Sequence, residues 1–273
     1  MTTARPVGGP GSLFVFDSYN FAFRAYHALP MLNGPDGTPL NAVHGFCRMV
    51  QAVRREFAPQ YVLAVFDAGG SGHRKQMFEG YKANRTPPPE DLRPQFPLLR
   101  KATDALGIPR VEDKDYEADD IIASYTVAAR AAGLRVVIVS SDKDLMQMVS
   151  EQEPSVLLWD TMKNVAIGPA EVTDKFGVGP ERLGDLLALV GDSSDNIPGV
   201  PGIGPKTASA LLLEYGDLEG VLAGAPNIKQ QARREKLIAN SDTARLSRRL
   251  VELNVALPLA KPLAELEDPG ADE

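Results

Sequence analysis

The sequence has little cysteine and no long hydrophobic run. Cys47 is the only cysteine among 273 residues, which excludes a disulfide framework and a thiolate metal site. No apolar run approaches the ~18–20 residues of a membrane span, and the opening MTTARPVGGPGS lacks the apolar core of a signal peptide. These absences predict a globular protein of the cytoplasm with no membrane partner.

Basic residues are also in deficit, since 29 Lys and Arg face 36 Asp and Glu and the net charge is −7. Taken alone, this balance argues mildly against a nucleic-acid partner, because phosphate contacts need Lys and Arg. The net charge is only a sum, however. Many acids gathered at one metal site would make it negative and still leave basic patches elsewhere on the surface.

Three apolar runs each end in an aspartate and alternate with helical patterns. The runs are rich in Val, Ile, Leu and Phe, which is typical of strands buried on both faces. Their alternation with helices predicts an α/β fold with a central, mostly parallel sheet and helices on both faces. The runs are LFVFD (13–17), YVLAVFD (61–67) and LRVVIVSSD (134–142), and the helical patterns cover 42–57 and 118–133.

Composition divides the chain into four parts. A polar, proline-bearing insertion interrupts the strand–helix pattern and is too long for a plain connection, so we interpret it as a functional loop or arch. Beyond residue 180 only helical patterns follow, separated by Gly/Pro turns. The predicted parts are a flexible N-terminal arm at 1–12, an α/β catalytic domain at 13–178 with the arch at about 70–97, a helical subdomain at 179–258 and a disordered tail at 259–273.

Acidic residues recur where the predicted strands end. Ligands of open α/β sheets bind beyond the carboxyl ends of the strands, so these acids are predicted to face one crevice. Each acid alone is explained equally well as a turn residue or a helix cap. Gathered together, carboxylates repel and need a compensating cation. The acids are Asp17, Asp67, Glu117, Asp119, Asp120, Asp142, Asp144, Asp192 and Asp195.

The donor chemistry of this set indicates which metal it would hold. Oxygen ligands without His or Cys favour Mg²⁺ or Mn²⁺ over Zn²⁺. Two such cations ~3.5–4 Å apart are the usual device for in-line displacement at phosphorus. We therefore predict a site for two or more divalent ions, at which Asp119 and Asp142 count among the catalytic residues.

A glycine-rich turn, IPGVPGIGPKTASALL (197–212), directly follows the last acids. A Gly/Pro turn that opens into a helix exposes backbone N–H groups, which bind a phosphate without selecting a base sequence. The alternative is a tight helix–helix connection, since glycines serve turns generally. The whole motif is specific for a helix–hairpin–helix type element that binds the DNA backbone. Its predicted DNA-binding residues are Gly199, Gly202, Gly204, Lys206 and Thr207.

The arch carries basic residues with an aromatic residue between them, a pattern that suits a single strand. Without further context a solvated basic loop would be the better interpretation. Beside a phosphodiesterase site, Lys82, Arg85 and also Arg24 are predicted to stabilise transition-state charge. The predicted DNA-binding residues of the arch are Arg74, Lys75, Tyr81, Lys82 and Arg85, with His73 alongside.

Five segments together resemble the 5′-nuclease superfamily, in particular the 5′–3′ exonuclease domain of bacterial DNA polymerase I and its free-standing relatives. The resemblance runs in order over roughly residues 13–258. The segments are FDSYNFAFRAYHAL, VFDAGGSGHRKQMFEGYKANR, YEADDIIAS, SSDKDLMQMV and GDSSDNIPGVPGIGPKTA.

The resemblance implies a PIN-like fold and a 5′–3′ exonuclease and 5′-flap endonuclease acting on flaps, nicks and RNA primers in replication and repair. By motif position it implies a first metal region with Asp17, Asp67, Glu117, Asp119 and Asp120, and a second with Asp142, Asp144, Asp192 and Asp195. It also implies that Tyr81, Lys82 and Arg85 contact the cleaved strand, and that K⁺ is held at the glycine-rich turn.

The expected partners are branched or nicked double-stranded DNA with a 5′ single strand, and RNA-primed DNA. We further expect a monomer, a functional link to a DNA polymerase and a ligase, and a location at the bacterial nucleoid. Two alternatives have a different function. A PIN-type ribonuclease would lack the glycine-rich turn, and a non-catalytic DNA-junction binding protein would not need nine acids.

Overall fold

The computed structural model describes residues 5–69 and 71–270, which divide into two compact units. The sheet unit consists of residues 5–69, 87–167 and 254–270, and the helical unit of residues 71–86 and 168–253. This division differs from the predicted boundary at 178/179. Residues 71–86 of the predicted arch group with the helices, whereas 87–97 group with the sheet. Gly70, the first residue of that predicted arch, lies outside the described residues.

The sheet unit is built on six strands, of which five run parallel. In the sheet they lie in the order 3-2-1-4-5-6 by their number along the chain, and only the last pair is antiparallel. The predicted mostly parallel sheet is thus confirmed. The strands are β1 (Ser12–Asp17), β2 (Tyr61–Asp67), β3 (Arg110–Asp113), β4 (Arg135–Val139), β5 (Val156–Asp160) and β6 (Val165–Ile167).

Helices surround the sheet and make up most of the helical unit. In the described part of the chain, no helix combines the length and the apolar character needed to cross a bilayer. The α-helices are α1 (Ser18–Ala28), α2 (Asn41–Phe57), α3 (Gly72–Met77), α4 (Gln95–Ala105), α5 (Ala118–Ala131), α6 (Pro169–Phe176), α7 (Pro180–Val190), α8 (Pro205–Tyr215), α9 (Leu218–Gly224), α10 (Gln231–Ala239) and α11 (Ser241–Val251).

The core of the sheet unit explains why the strands form. β1 is buried along its whole length, and β2 is buried between its two end residues. Phe14, Phe16 and Phe66 of these strands are fully shielded and pack against Phe46 of α2 in one apolar cluster. Burying a side chain of this size contributes roughly 1.5–3 kcal/mol, so the continuous apolar runs favour central strands over exposed ones.

Strand order sets the place of the candidate site. From β1 the chain adds β2 and β3 on one side, and then returns to add β4, β5 and β6 on the other. The order therefore reverses between β1 and β4. In open parallel sheets, the crevice for a ligand lies at such a reversal, beyond the carboxyl ends of the strands.

The C-terminal segment (residues 254–270) is ordered, so the predicted disordered tail at 259–273 is wrong for residues 259–270. Leu266 is fully buried, and the backbone of Asp268 donates a hydrogen bond to the carbonyl of Gln60. The Asp268 carboxylate also pairs with Arg54, whose guanidinium is buried. Apolar burial and a buried ion pair thus hold a stretch whose polar composition favoured disorder. Residues 271–273 lie outside the described residues.

The predicted N-terminal arm is likewise held in place over its described part, residues 5–12. The N–H of Gly9 donates to the carbonyls of Phe57 and Ala58 at 3.0 and 3.1 Å. Pro6 is buried and Ser12 already belongs to β1. Backbone hydrogen bonds therefore fix a segment that glycine and proline content marked as flexible, while residues 1–4 of the predicted arm lie outside the described residues.

Candidate metal centre and nucleic-acid interface

Three predicted ligands sit at the carboxyl edge of the sheet. Asp17 ends β1 and Asp67 ends β2, the strand paired with it in parallel. Asp142 lies three residues past the end of β4, the other neighbour of β1. Because parallel strands present their carboxyl ends at one edge, Asp17 and Asp142 flank the reversal of strand order, and Asp67 lies one strand further away on the same edge.

The hydroxyl of Ser140 links two of these acids. Its Oγ donates to Oδ2 of Asp17 at 2.7 Å and accepts the backbone N–H of Asp142 at 3.0 Å. The other oxygen of Asp17 caps α1 by accepting the N–H of Asn20 at 3.3 Å. Asp17 is therefore both a helix cap and a member of the acidic group, so the two interpretations of this acid are compatible.

The group carries like charge that the protein itself leaves uncompensated at Asp17. Burial, and next the negative charge of Asp142, raise the pKa of Asp17 from 3.8 to about 7. Asp67 adds to this effect, while the hydrogen bonds from Ser140 and Asn20 act against it. A nearby divalent cation would reverse the balance, because it favours the charged carboxylate. Electrostatics and oxygen donors both fit a hard metal ion here.

We expect Asp17→Asn to stabilise the metal-free protein at pH 8 by about 1–3 kcal/mol. The raised pKa means that the stability contributed by the neutral carboxyl is present below pH 3.8 and lost as the pH rises through about 7. The variant's gain should therefore shrink between pH 8 and pH 5. Thermal unfolding in EDTA measures this.

The control for this prediction is Asp36→Asn. Hydrogen bonds from Thr38 lower the pKa of Asp36, which is the opposite direction, so its loss should bring no gain at pH 8. A stability gain of Asp17→Asn that does not vary with pH would contradict the uncompensated-charge interpretation.

The start of α5 supplies the next acids. β3 ends at Asp113 on the same edge, and α5 begins five residues later and packs against β1 and β2. Glu117 is the N-cap residue and is almost fully buried, and Asp119 is half-buried in the first turn. This topology brings the helix start toward the acids that end β1 and β2.

Asp120 has a different environment from its neighbours. Its Oδ1 accepts the N–H of Asn254 at 2.9 Å, and its Oδ2 accepts the N–H of Glu117 at 3.4 Å. The side chain is fully buried. Both oxygens are thus engaged by backbone donors, which suits an acid that holds the helix start and the C-terminal segment in place.

The nine predicted ligands are divided between the two units. Seven belong to the sheet unit, including Asp144 in the 3₁₀ turn after β4, and two belong to the helical unit. Those two, Asp192 and Asp195, are both buried. They lie in a tight loop that is closed by paired backbone hydrogen bonds between Asp192 and Ile197. That all nine surround one metal centre stays a prediction.

Within the helical unit, Asp195 receives the basic residues of the arch. Nη2 of Arg85 donates to Oδ1 at 2.5 Å, the hydroxyl of Tyr81 donates to Oδ2 at 3.2 Å, and Nζ of Lys82 lies 3.6 Å from Oδ2. The N–H of Lys82 also donates to the carbonyl of Asp195 at 2.9 Å. The sequence motifs assign Asp195 to a metal and the arch residues to a phosphate. In the structure these residues are direct partners of one another.

Two predicted DNA contacts are buried. Arg74 is 2% exposed, and its guanidinium donates to the carbonyls of Leu250 and Glu252 at 2.9 and 2.7 Å. Tyr81 is 3% exposed, so its ring is not available for stacking on a base. In this conformation their side chains hold the arch to its own unit, and that these two residues bind DNA stays a prediction. Lys75 is exposed, and 53% of the Arg85 side chain is exposed.

The glycine-rich turn joins α7 to α8. Gly199 has a φ of +60°, and a Cβ there would lie 2.4 Å from the nitrogen of Gly191 and 2.5 Å from the carbonyl carbon of Val190. Its N–H donates to Oγ of Ser247, which anchors the turn to α11. Gly204 caps α8 from an open position, with Lys206 exposed and Thr207 half-exposed in the first turn. The first glycine serves the fold, and the last leaves the helix start accessible.

Sequence reasoning missed two residues of the carboxyl edge. One is Ser140, whose type alone gives no signal of its role between Asp17 and Asp142. The other is Asp160, which ends β5 and pairs with Arg24 across 2.9 Å. A signal for Asp160 was present, because VLLWD repeats the apolar run ending in an aspartate that marked Asp17 and Asp67.

Comparison with known proteins identifies the family. A family model described as the 5′-3′ exonuclease N-terminal resolvase-like domain matches residues 12–177. A second, described as the 5′-3′ exonuclease C-terminal SAM fold, matches residues 178–273. The chain therefore belongs to the 5′-3′ exonuclease family. The predicted family and enzyme class are confirmed at this level.

Individual relatives agree with this membership. The chain is 51% identical to a DNA polymerase I of Rhizobium leguminosarum over 255 residues, which cover 90% of this chain but only 25% of that protein. It is 39% identical to a 5′-3′ exonuclease of Aquifex aeolicus over 189 residues, which cover 69% of this chain and 64% of the relative. The chain thus spans about a quarter of the polymerase relative.

Solved structures share the fold. The T5 D15 protein, co-crystallised with metal ions, superposes with a TM-score of 0.76 over 89% of this chain and 90% of its own, at 22% identity. The catalytic core of Rad2 in complex with a DNA substrate gives a TM-score of 0.55 over 85% and 73% of the two chains, at 15% identity. The predicted fold class is confirmed by these likenesses.

Proposed function

We propose that this chain is a divalent-metal-dependent 5′–3′ exonuclease and 5′-flap endonuclease that hydrolyses DNA phosphodiesters in replication and repair. The observation that carries the proposal is the acidic group at the carboxyl edge of the sheet, with the raised pKa of Asp17 as its electrostatic mark. Family membership supplies the reaction class. The T5 D15 and Rad2 structures hold metal ions and DNA respectively, which supports the same proposal.

Carboxylates of the sheet unit would hold the metal, which we take to be Mg²⁺ or Mn²⁺. When bound, such ions supply charge stabilisation and an activated water for in-line attack on phosphorus. Asp17 and Asp142 are the leading ligands, because they share Ser140 and flank the reversal of strand order. Asp67, Glu117, Asp119, Asp120 and Asp144 would complete the sheet-unit set. Asp192 and Asp195 are the candidate ligands of the helical unit.

The chain's own basic groups would bind and orient the DNA. Lys82 and Arg85 carry positive charge on the arch. They would release Asp195 and pair with a phosphate of the cleaved strand instead. The open start of α8 at Gly204, with Lys206 and Thr207, would hold a phosphate of the duplex by backbone N–H groups. K⁺ at this turn is part of the same proposal. Contacts of this kind select DNA shape without reading bases.

The deciding experiment uses a 5′-labelled flap, a nicked duplex and a blunt duplex with the purified chain. We expect cleavage near the flap junction in Mg²⁺ or Mn²⁺, none in EDTA, and binding of the flap in both conditions. Flap binding with no cleavage in either metal would favour the DNA-junction binding alternative and overturn the enzyme proposal. Cleavage of single-stranded RNA in preference to the flap would favour the ribonuclease alternative.

Gly204→Ala should weaken binding of the nicked duplex several-fold and leave stability nearly unchanged. The position has a φ outside the left-handed region and open space around a Cβ, so alanine adds bulk only where the phosphate would approach. Melting temperature and duplex affinity in EDTA measure the two effects.

Gly199→Ala is the matched comparison in the same turn. Its Cβ would meet the backbone of Val190 and Gly191, so we expect a loss of roughly 2 kcal/mol or more in the free energy of unfolding. Wild-type duplex affinity in a stable Gly204→Ala protein would remove this turn from the proposed interface.

A further inference from the structure

Helix α1 lies along the carboxyl edge and contacts it at three levels. Asp17, its N-cap, meets Ser140 just past β4. Asn20 accepts the hydroxyl of Ser141 at 3.0 Å through its side-chain oxygen. Arg24, one turn further on, has Nη2 2.9 Å from Oδ1 of Asp160 at the end of β5. The helix thus presents one side to the ends of successive strands.

Asp160 is a fixed anion. The residue is 2% exposed, and its Oδ1 also accepts the backbone N–H groups of Met162 and Lys163 at 3.1 and 3.3 Å. These bonds tie the carboxylate to the turn between β5 and β6. A carboxylate held in this way has little freedom to follow a mobile partner, so it sets the position of the guanidinium that pairs with it.

Arg24 has one guanidinium nitrogen that is paired and, among the described residues, a second that lacks a hydrogen-bond partner. Nη2 faces Asp160, whereas Nη1 is shielded from solvent and has no hydrogen-bond partner among residues 5–69 and 71–270. A shielded donor without an acceptor costs ~1–3 kcal/mol. A pair that served only to fasten α1 to β5 would gain nothing from leaving Nη1 in this state. The planar guanidinium fork matches the oxygens of a phosphate.

We propose that Asp160 is a positioning residue, which holds Arg24 so that Nη1 donates to a phosphate of the substrate strand at the carboxyl edge. This inference rests on the proposed function. Arg24 lies seven residues beyond Asp17, about 10 Å along the helix axis. Arg24 therefore contacts the phosphate next to the one at the acidic group, and this contact aligns the strand for cleavage.

The test is a double-mutant cycle on single-turnover cleavage of the 5′-flap in Mg²⁺. We expect Asp160→Asn and Arg24→Ala each to slow cleavage about 10- to 100-fold, because a misaligned strand reacts more slowly. The double variant should be no slower than the slower single variant. Flap affinity in EDTA should change much less than the rate, since many other phosphate contacts remain.

Two further variants separate positioning from a structural role. Arg24→Lys keeps the charge opposite Asp160 and loses the second nitrogen, so it should be as slow as Arg24→Ala. Lys163→Ala removes the other, 75% exposed cation near Asp160 and should cleave at the wild-type rate. Emission of Trp159, the only tryptophan, reports whether β5 is intact in each variant.

Wild-type cleavage by Asp160→Asn, or full restoration of the rate by Arg24→Lys, would overturn the inference. Additive losses in the double variant would do so too, since Asp160 would then act independently of Arg24. If Trp159 emission shows that Asp160→Asn disrupts β5, the test rests on the cleavage rate of Arg24→Lys compared with that of Arg24→Ala. A wild-type chain that cleaves no flap would instead refute the proposed function.

Discussion

Asp142→Ala is expected to lower the rate of Mg²⁺-dependent flap cleavage by about 10³-fold or more, because it removes a charged oxygen ligand from the acidic group. Binding of the flap in EDTA should stay near the wild-type value, since phosphate contacts are made by other residues. Asp142 also raises the pKa of Asp17, so its loss should bring that pKa down. Single-turnover rates, flap affinity and titration of Asp17 by NMR measure the three effects.

The chain offers a closely matched control for this substitution. Asp142 accepts the N–H of Asp144 at 2.9 Å, two residues on, and Asp36 accepts the N–H of Thr38 at 3.0 Å in the same way. Asp36→Ala therefore removes the same kind of turn bond from an exposed loop and should leave cleavage unchanged. Asp119→Ala should behave like Asp142→Ala. Near-wild-type turnover of both acid variants would end the metal-centre assignment.

Lys82→Ala is expected to slow cleavage by roughly 10²–10³-fold, because it removes a cation that would face the developing charge on phosphate. The backbone of Lys82 lies in the left-handed region at a φ of +56°, and alanine there is no more favourable than lysine. Binding of Mn²⁺, followed by calorimetry, should persist. A single-turnover rate near wild type would leave Lys82 with no role beyond its pairing with Asp195 in the arch.

Lys82→Met separates charge from packing in this prediction. The ammonium of Lys82 lies 5.0 Å from the centre of the Tyr81 ring and 3.6 Å from Asp195. Methionine keeps an apolar stem beside the ring and loses the charge, so it should be as slow as alanine. A methionine variant with the wild-type rate and a slow alanine variant would indicate packing. Lys101→Ala, on the exposed surface of α4, should have no effect.

The sequence predicted those parts of the fold that follow from continuous apolar patterns. β1, β2 and β4 are buried central strands, and their runs of Val, Leu, Ile and Phe are visible without a structure. β3 was missed because RVED is four residues long with one buried side chain. β6, of three residues, is shorter still. Such strands form because neighbours supply hydrogen bonds, which local composition does not reveal.

The candidate site, like the fold, was predictable from the sequence only in part. Acids at strand ends were predictable, because strand direction alone brings Asp17 and Asp67 to one edge. The burial of Arg74 was not, since its carbonyl partners Leu250 and Glu252 lie more than 170 residues away. The sequence gives the charge of a basic side chain in a polar segment. Whether that side chain is buried depends on backbone groups that are far away along the chain.

The C-terminal segment has a consequence for how the chain folds during synthesis. Arg54 is nearly inaccessible in the folded chain and pairs with Asp268. A buried charge left without its partner costs about 3–5 kcal/mol. A nascent chain that has emerged from the ribosome only as far as α11 would lack that partner. It would also lack Leu266, so the core around β2 should close only once residues 266–268 have left the ribosome.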